Sequence, residues 1–172
     1  MLLVDRALRP LFPDDFHGDT QVMIQLISSE KENMPDALAC LAASTALAVS
    51  DIPFNGPVSE VRIAKKDGNH IINPTFEELK GADMDMVIAG TLDSIVMVEG
   101  EMNEVSEVDM LEAIKAAHEV IKDQCNLQLT IASKVAKSSP KREYSHETHD
   151  EELKNKIHAF AYDKFYDIAK QG

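Results

Sequence analysis

Hydrophobic and polar positions fall in blocks along this chain, and the spacing within each block predicts an element. Residues 1–12 read as a short helical or turn segment ending at Pro10. The polar loop Pro13-Asp14-Asp15-Phe16-His17-Gly18-Asp19 follows. Residues 21–27 are rich in β-branched and apolar side chains and predict a strand. Residues 34–49 predict a helix, with Pro35 in the first turn, where a missing N–H costs little. Ala37, Leu38, Ala39, Leu41, Ala42, Ala43, Ala46, Leu47, Ala48 and Val49 leave that helix almost no polar face. A helix apolar on every side predicts a place in the middle of a domain, and its alanines would let neighbouring backbones come close.

Asp51-Ile52-Pro53-Phe54-Asn55-Gly56-Pro57 reads as a rigid turn. Residues 58–65 and 69–72 predict two strands joined as a hairpin through Lys66-Asp67-Gly68-Asn69. Asn73-Pro74-Thr75 opens a short helical turn through Leu79. Residues 84–89 and 94–98 predict a second strand pair around Gly90-Thr91-Leu92-Asp93. Ser106-Glu107-Val108-Asp109 has capping-box spacing with Ser106 as N-cap, and the helix after it carries Val108, Leu111, Ile114 and Ile121 to about residue 137. Ser138-Ser139-Pro140-Lys141-Arg142-Glu143 reads as a linker, and Thr148-x-x-Glu151 as a second cap. Leu153, Ile157, Phe160, Ala161, Phe165 and Ile168 then mark a last amphipathic helix. The elements predict an α+β fold of two layers, helix on sheet, over residues 1–137, with a linker at 138–146 and a helical appendage at 147–172.

A chain of 172 residues, 44% hydrophobic and 27% charged, suffices for one domain with a real core. The net charge of −13 repels polyanions at long range. Any RNA contact must therefore come from a local basic spot or a partner domain. No apolar run reaches membrane-spanning length, and the first residues lack a signal-peptide core, so the expected compartment is the cytoplasm, with no membrane association. Cys40 and Cys125 both fall in helical patterns and read as free buried thiols.

Few residues suggest chemistry. Arg6 and Arg9 stand at i and i+3, on one helix face, where two planar guanidiniums can clamp a phosphate. The same spacing suits two solvated arginines, or one bridged to Asp5. His146-Glu147-Thr148-His149 is one residue short of the zincin spacing, lacks a third ligand and suits a polar helix start. Asp83 and Asp85 share a strand face as Mg²⁺ ligands could, or simply make a polar strand entry. Glu99, Glu101, Glu104 and Glu107 read as an acidic loop that favours the next helix N-terminus. His118, in mid-helix, reads as a packed or surface side chain. Phosphate-cradling glycine loops, nucleophile elbows and triad spacings are missing from the sequence.

Leu3-Val4-Asp5-Arg6-Ala7-Leu8-Arg9-Pro10-Leu11-Phe12-Pro13 resembles a motif of the first ribonuclease PH-like core of the polynucleotide phosphorylase family. Ile52-Pro53-Phe54-Asn55-Gly56-Pro57, Asn73-Pro74-Thr75, Asp85-Met86-Val87-Ile88-Ala89-Gly90-Thr91, Met97-Val98-Glu99 and Ala117-His118-Glu119 come next, in family order. The resemblance runs over roughly residues 2–120, and residues 125–145 match poorly. It implies an N-terminally truncated first core followed by the start of the family's all-helical domain. It further implies a phosphorolytic 3′-to-5′ exoribonuclease that releases nucleoside diphosphates from RNA and inorganic phosphate with Mg²⁺, as a trimeric ring and in RNA-degradation complexes. The family's phosphate and metal sites belong to a second core. This chain alone is thus expected to be catalytically inactive and to bind no metal. Arg6 and Arg9 align with family arginines near the RNA path, while Leu2 stands where the family has another arginine. The family core has several strands upstream of this point, and the resemblance implies that losing them would leave a sheet edge open here, with self-association as the expected result. Two other readings stand beside this one: a non-enzymatic protein-interaction or scaffold module, and a stand-alone ribonuclease PH-type enzyme.

Overall fold

The computed structural model describes residues 2–146, 148 and 150–171. Strand β3, Met84–Gly90, organises the fold because both of its faces are apolar. Such a strand needs cover on two sides. Its neighbours are β1, Ser59–Lys66, and β4, Ile95–Met102, while β2, Asn69–Ile72, lies outside β1. The order is β2-β1-β3-β4 and every pairing is antiparallel. Register places Val61 opposite Ile88 and Ile63 opposite Met86. Helix α4, Glu107–Ala132, covers that face with Ala113, Ala117, Ile121 and Cys125. The other face carries Val87 and Ala89, covered by α1, Leu2–Leu8, and α2, Asp36–Ala48.

The α+β class is as the sequence predicts, but the sheet is covered on both faces, making three layers where two are expected. The entry to β1 is stitched to both helices. The Val58 amide donates to Ser44 Oγ at 3.0 Å, and the Gln128 Nε2 amide donates to the Val58 carbonyl at 3.0 Å. The β1–β2 hairpin turns on Asp67 (φ 50°) and Gly68 (φ 77°), the left-handed pair that a two-residue I′ turn requires. A short helix α3, Phe76–Leu79, has a full capping box between Thr75 and Glu78. Ser106 caps α4 by accepting the Asp109 amide at 3.2 Å. Cys40 and Cys125 are free and buried.

Several elements depart from expectation. Residues 21–27 form no strand: the segment is exposed, and no described strand lies beside it. A strand needs a hydrogen-bonding neighbour as well as the right side chains. Helix α2 buries one stripe, not every side, because a straight helix on a sheet touches it along one line. Leu38 is 62% exposed. Strand β4 continues to Met102, so Glu99 and Glu101 belong to an edge strand and not to a loop. Helix α4 ends at Ala132, and a 3-10 turn comes after it at Ala136–Ser138, where the Ser138 hydroxyl donates to the Ala132 carbonyl at 2.8 Å. Helix α5, Glu151–Ala169, is capped by Asp150 and not Thr148, because the Asp150 carboxylate accepts the Leu153 amide at 3.0 Å. No residue of α5 is buried. The linker is docked: Lys141 Nζ donates to the Ser50 carbonyl at 2.7 Å just past α2, and Arg142 Nη2 meets Asp51 Oδ1 at 2.6 Å. No helix among the described residues is long and apolar enough to cross a membrane.

Candidate RNA-contacting face

Helix α1 buries Val4, Ala7 and Leu8 and turns Asp5 and Arg6 outward, and Arg9, also exposed, opens the 3-10 turn Arg9–Leu11 that follows it. The two guanidiniums do not form an open clamp. Arg9 binds Asp5 through two nitrogens, at 2.6 and 3.2 Å, the i,i+4 pair that the spacing also allows. Arg6 pairs with Glu99 on the edge strand. Arg9 remains 76% exposed at its side chain, so its ion pair contributes little and can be exchanged for another anion.

Register explains the charge beneath α1 and α2. Arg62, Val87 and Glu99 lie in one cross-strand row. Arg62 grips Asp85 with a two-nitrogen fork, both contacts at 2.7 Å, and reaches Asp36 at 2.7 Å. The Asp85 carboxylate, with Asp36 behind it, raises the already high Arg62 pKa. On the same face of β1 as Arg62, Glu60 is 1% exposed and neither carboxyl oxygen has a hydrogen-bond partner among the described residues. Burial first, and then the charge of Asp36, push its carboxyl up to about 7. The neighbouring Cys40 thiol is pushed far up, chiefly by burial. Sequence reading missed both Glu60 and Arg62. Their only signal was a charged pair at alternate positions of an otherwise apolar strand.

The remaining candidates serve the fold. His146 Nδ1 lies 2.6 Å from Asp15 Oδ2, and the Tyr144 hydroxyl donates to Asp15 Oδ1 at 2.9 Å; these bonds hold the Asp15 carboxyl below its ordinary pKa. Glu147 and His149 of the same motif lie outside the described residues. His118 Nε2 is 2.9 Å from the Thr91 carbonyl, a packing contact. Asp85 is neutralised by Arg62, and Asp83 joins the sheet through its backbone. Among the described residues no three His, Cys, Asp or Glu side chains gather as a metal-holding group.

Residues 1–53, holding α1 and α2, match the 3′ exoribonuclease family, domain 1. Residues 56–120, holding the whole sheet and the first half of α4, match domain 2 of the same family. The chain belongs to the 3′ exoribonuclease family. Arg6 and Arg9 both fall in the domain 1 match of this exoribonuclease family. The chain is 58% identical to polyribonucleotide nucleotidyltransferase of Porphyromonas gingivalis over 170 residues, 99% of this chain and 23% of that relative. It is 59% identical to the protein of that name from Bacteroides fragilis and 54% to that from Cytophaga hutchinsonii, again over 170 residues and 24% of each relative. The chain therefore spans about a quarter of the length of these relatives. The likeness reaches well past residue 120, through the 125–145 stretch where little family pattern is legible in the sequence alone.

Proposed function

We propose that this chain is the RNA-contacting and ring-forming part of a phosphorolytic 3′-to-5′ exoribonuclease, a polyribonucleotide nucleotidyltransferase, and that it is not catalytic alone. The observation that carries this reading is the ordered match to two family domains within a likeness covering 99% of the chain. On this reading, residues 1–137 are part of the first core, 138–146 are a linker, and 147–172 begin the all-helical domain. Phosphate attack on the terminal phosphodiester, assisted by Mg²⁺, is chemistry of charge neutralisation and in-line positioning. It is assigned to parts of the relatives outside the matched quarter. Three copies close a ring in the cytoplasm, open to other RNA-degradation proteins.

Arg6 and Arg9 supply the RNA contact by exchanging Glu99 and Asp5 for phosphate oxygens. Such an exchange suits a chain whose net charge of −13 repels RNA everywhere except at a local basic spot. Titration of a labelled oligo(A) at low salt tests it. Arg6→Ala with Arg9→Ala should weaken binding about tenfold and lower the salt slope by about 2. Asp5→Asn, which frees Arg9, should strengthen binding. Unchanged affinity in the double variant defeats the arginine assignment. Nucleoside diphosphate release by the chain alone, given poly(A), phosphate and Mg²⁺, defeats the claim that it is inert.

One observation favours a second reading, a protein-interaction module. Helix α5 exposes Leu153, Ile157, Phe160, Phe165 and Ile168 together. Salt-insensitive binding to a protein, with no affinity for RNA, would select that reading.

A further inference from the structure

The first turn of α2 is tied to the sheet through a charged contact. Its N-cap, Pro35, supplies no side-chain hydrogen bond, and Asp36, the first helical residue, reaches β1 by accepting from Arg62 Nη1 at 2.7 Å. The other two bonding nitrogens of Arg62 hold Asp85. Asp85 thus takes two bonds and Asp36 one. The Asp36 side chain is 27% exposed, so water can replace its single bond at little cost.

Glu60 stands two residues before Arg62 on the same face of β1, roughly 7 Å away along the strand. Its carboxyl is enclosed by the fold itself, and neither oxygen has a hydrogen-bond partner among the described residues. Asp36 and Cys40 face it from α2, while Glu99 of β4 and the chain's amino group act on it from further off. The Cys40 thiol stays protonated because burial pushes it far up. Burial, and then the charge of Asp36, bring the Glu60 proton to the point of leaving at about 7, so both forms are reached near neutral pH. An ionised carboxyl in this place needs a cation. Asp36 is close enough to act on Glu60, and Asp36 already sits on Arg62 Nη1, so that nitrogen is the nearest remedy the cluster offers. We propose that Glu60 is a proton-operated switch for the first turn of α2. Protonated, it leaves Arg62 Nη1 on Asp36. Ionised, it swings to Nη1 and displaces Asp36 into water, the fork on Asp85 stays, and the first turn of α2 comes free of β1. Every group of the switch belongs to the α2–sheet layer of this chain, and the switch does not depend on the RNA reading.

Carboxyl and amide NMR of the intact chain, titrated from about pH 5 to about pH 9, tests this. The expected result is one shared midpoint, at which the Glu60 carboxyl, the Arg62 side-chain nitrogens and the amides of Ala39 and Cys40 all shift. Exchange protection of those two amides should fall about tenfold more between pH 6 and pH 8 than that of Met84–Gly90. Glu60→Gln should abolish the shared transition and keep the first turn protected at pH 8. Asp36→Asn, at a partly exposed position that puts the fold at little risk, should lower the Glu60 midpoint and leave the first turn loose at every pH. A Glu60 carboxyl that titrates while Arg62 and the α2 amides stay still overturns the proposal, since the carboxylate is then hydrated where it stands. So does a carboxyl that never titrates in this range, or a first-turn transition that survives Glu60→Gln.

Discussion

Glu60 shows how far one residue can depart from its sequence context. In the run Ser59-Glu60-Val61-Arg62-Ile63, alternation sends Val61 and Ile63 toward α4, and Glu60 and Arg62 to the opposite face. Periodicity makes that face look like solvent. It is in fact roofed by α2, which no local signal in β1 reveals. Arg62 lives there by neutralising Asp36 and Asp85, whereas Glu60 forms no ion pair among the described residues. Its carboxyl, pushed up to about 7 from 4.5, holds a proton in the folded state over a range where the unfolded chain has lost it. As far as Glu60 is concerned, stability is therefore greatest below about pH 4.5, falls as pH rises toward 7, and is flat above. A shift of this size corresponds to about 3 kcal/mol. Urea unfolding at pH 5 and pH 8 should show a difference in wild type that Glu60→Gln largely removes; an identical pH profile in the variant would refute the role given to this carboxyl. Arg62→Met should destabilise by about 3 kcal/mol, because it leaves two partly buried carboxylates facing each other without their cation. The same urea titration reads it. Neither residue bears on the RNA contact, so oligo(A) binding per folded molecule should be unchanged in both.

At the scale of elements, legibility depended on the number of neighbours an element needs. The β1–β2 hairpin depends on one turn, and Asp67-Gly68 gave it away, as Asn73-Pro74-Thr75 and Ser106-x-x-Asp109 marked the starts of α3 and α4. Residues 21–27 have a strand's composition, but a strand is a pair property, and the partner is not written in the segment. The third layer was hidden for a related reason. Both parities of Met84-Asp85-Met86-Val87-Ile88-Ala89-Gly90 are largely apolar, which signals cover on two faces without saying which helices supply it. The candidate site was legible to the same degree: spacing allowed both the open clamp and the Asp5 bridge, and only the fold brought Glu99 to Arg6 across the sheet edge. Helix α4 is the element on which the sheet most depends. Ile121→Ala should cost about 3 kcal/mol, as it opens a cavity against Val61 and Ile88. Ser106→Ala should cost about 1 kcal/mol through the lost cap. Leu38→Ser, on the outward face of α2, should change stability by less than about 0.5 kcal/mol. If Leu38→Ser proves as costly as Ile121→Ala, α2 is covered on both sides after all.

Seen as a whole molecule, the chain has two parts of unequal cohesion. The sheet shares two core clusters with α1, α2 and α4. Helix α5 contributes to neither and buries nothing. Its 19 residues are held by i,i+3 and i,i+4 pairs such as Lys156–Glu152, by cation–π contacts of Lys164 and Lys170 with Phe160 and Tyr166, and by the Asp150 cap. Each of these is worth a few tenths of a kcal/mol to about 1 kcal/mol, which is marginal for an isolated helix of this length in water. The docked linker stops short of it: Lys141 and Arg142 fasten to the end of α2 and Asp51, and His146 to Asp15, but nothing beyond His146 is fastened to the sheet by a hydrogen bond or ion pair among the described residues. The two parts should therefore unfold separately. Hydrogen exchange on the intact chain at low concentration should find the amides of Glu151–Ala169 exchanging orders of magnitude faster than those of Met84–Gly90. Phe165→Ser should lower helicity by circular dichroism while leaving the midpoint of the sheet's cooperative unfolding where it is. A midpoint that moves with Phe165 would mean that α5 folds against the core, and that its apolar stripe already has its partner within the chain.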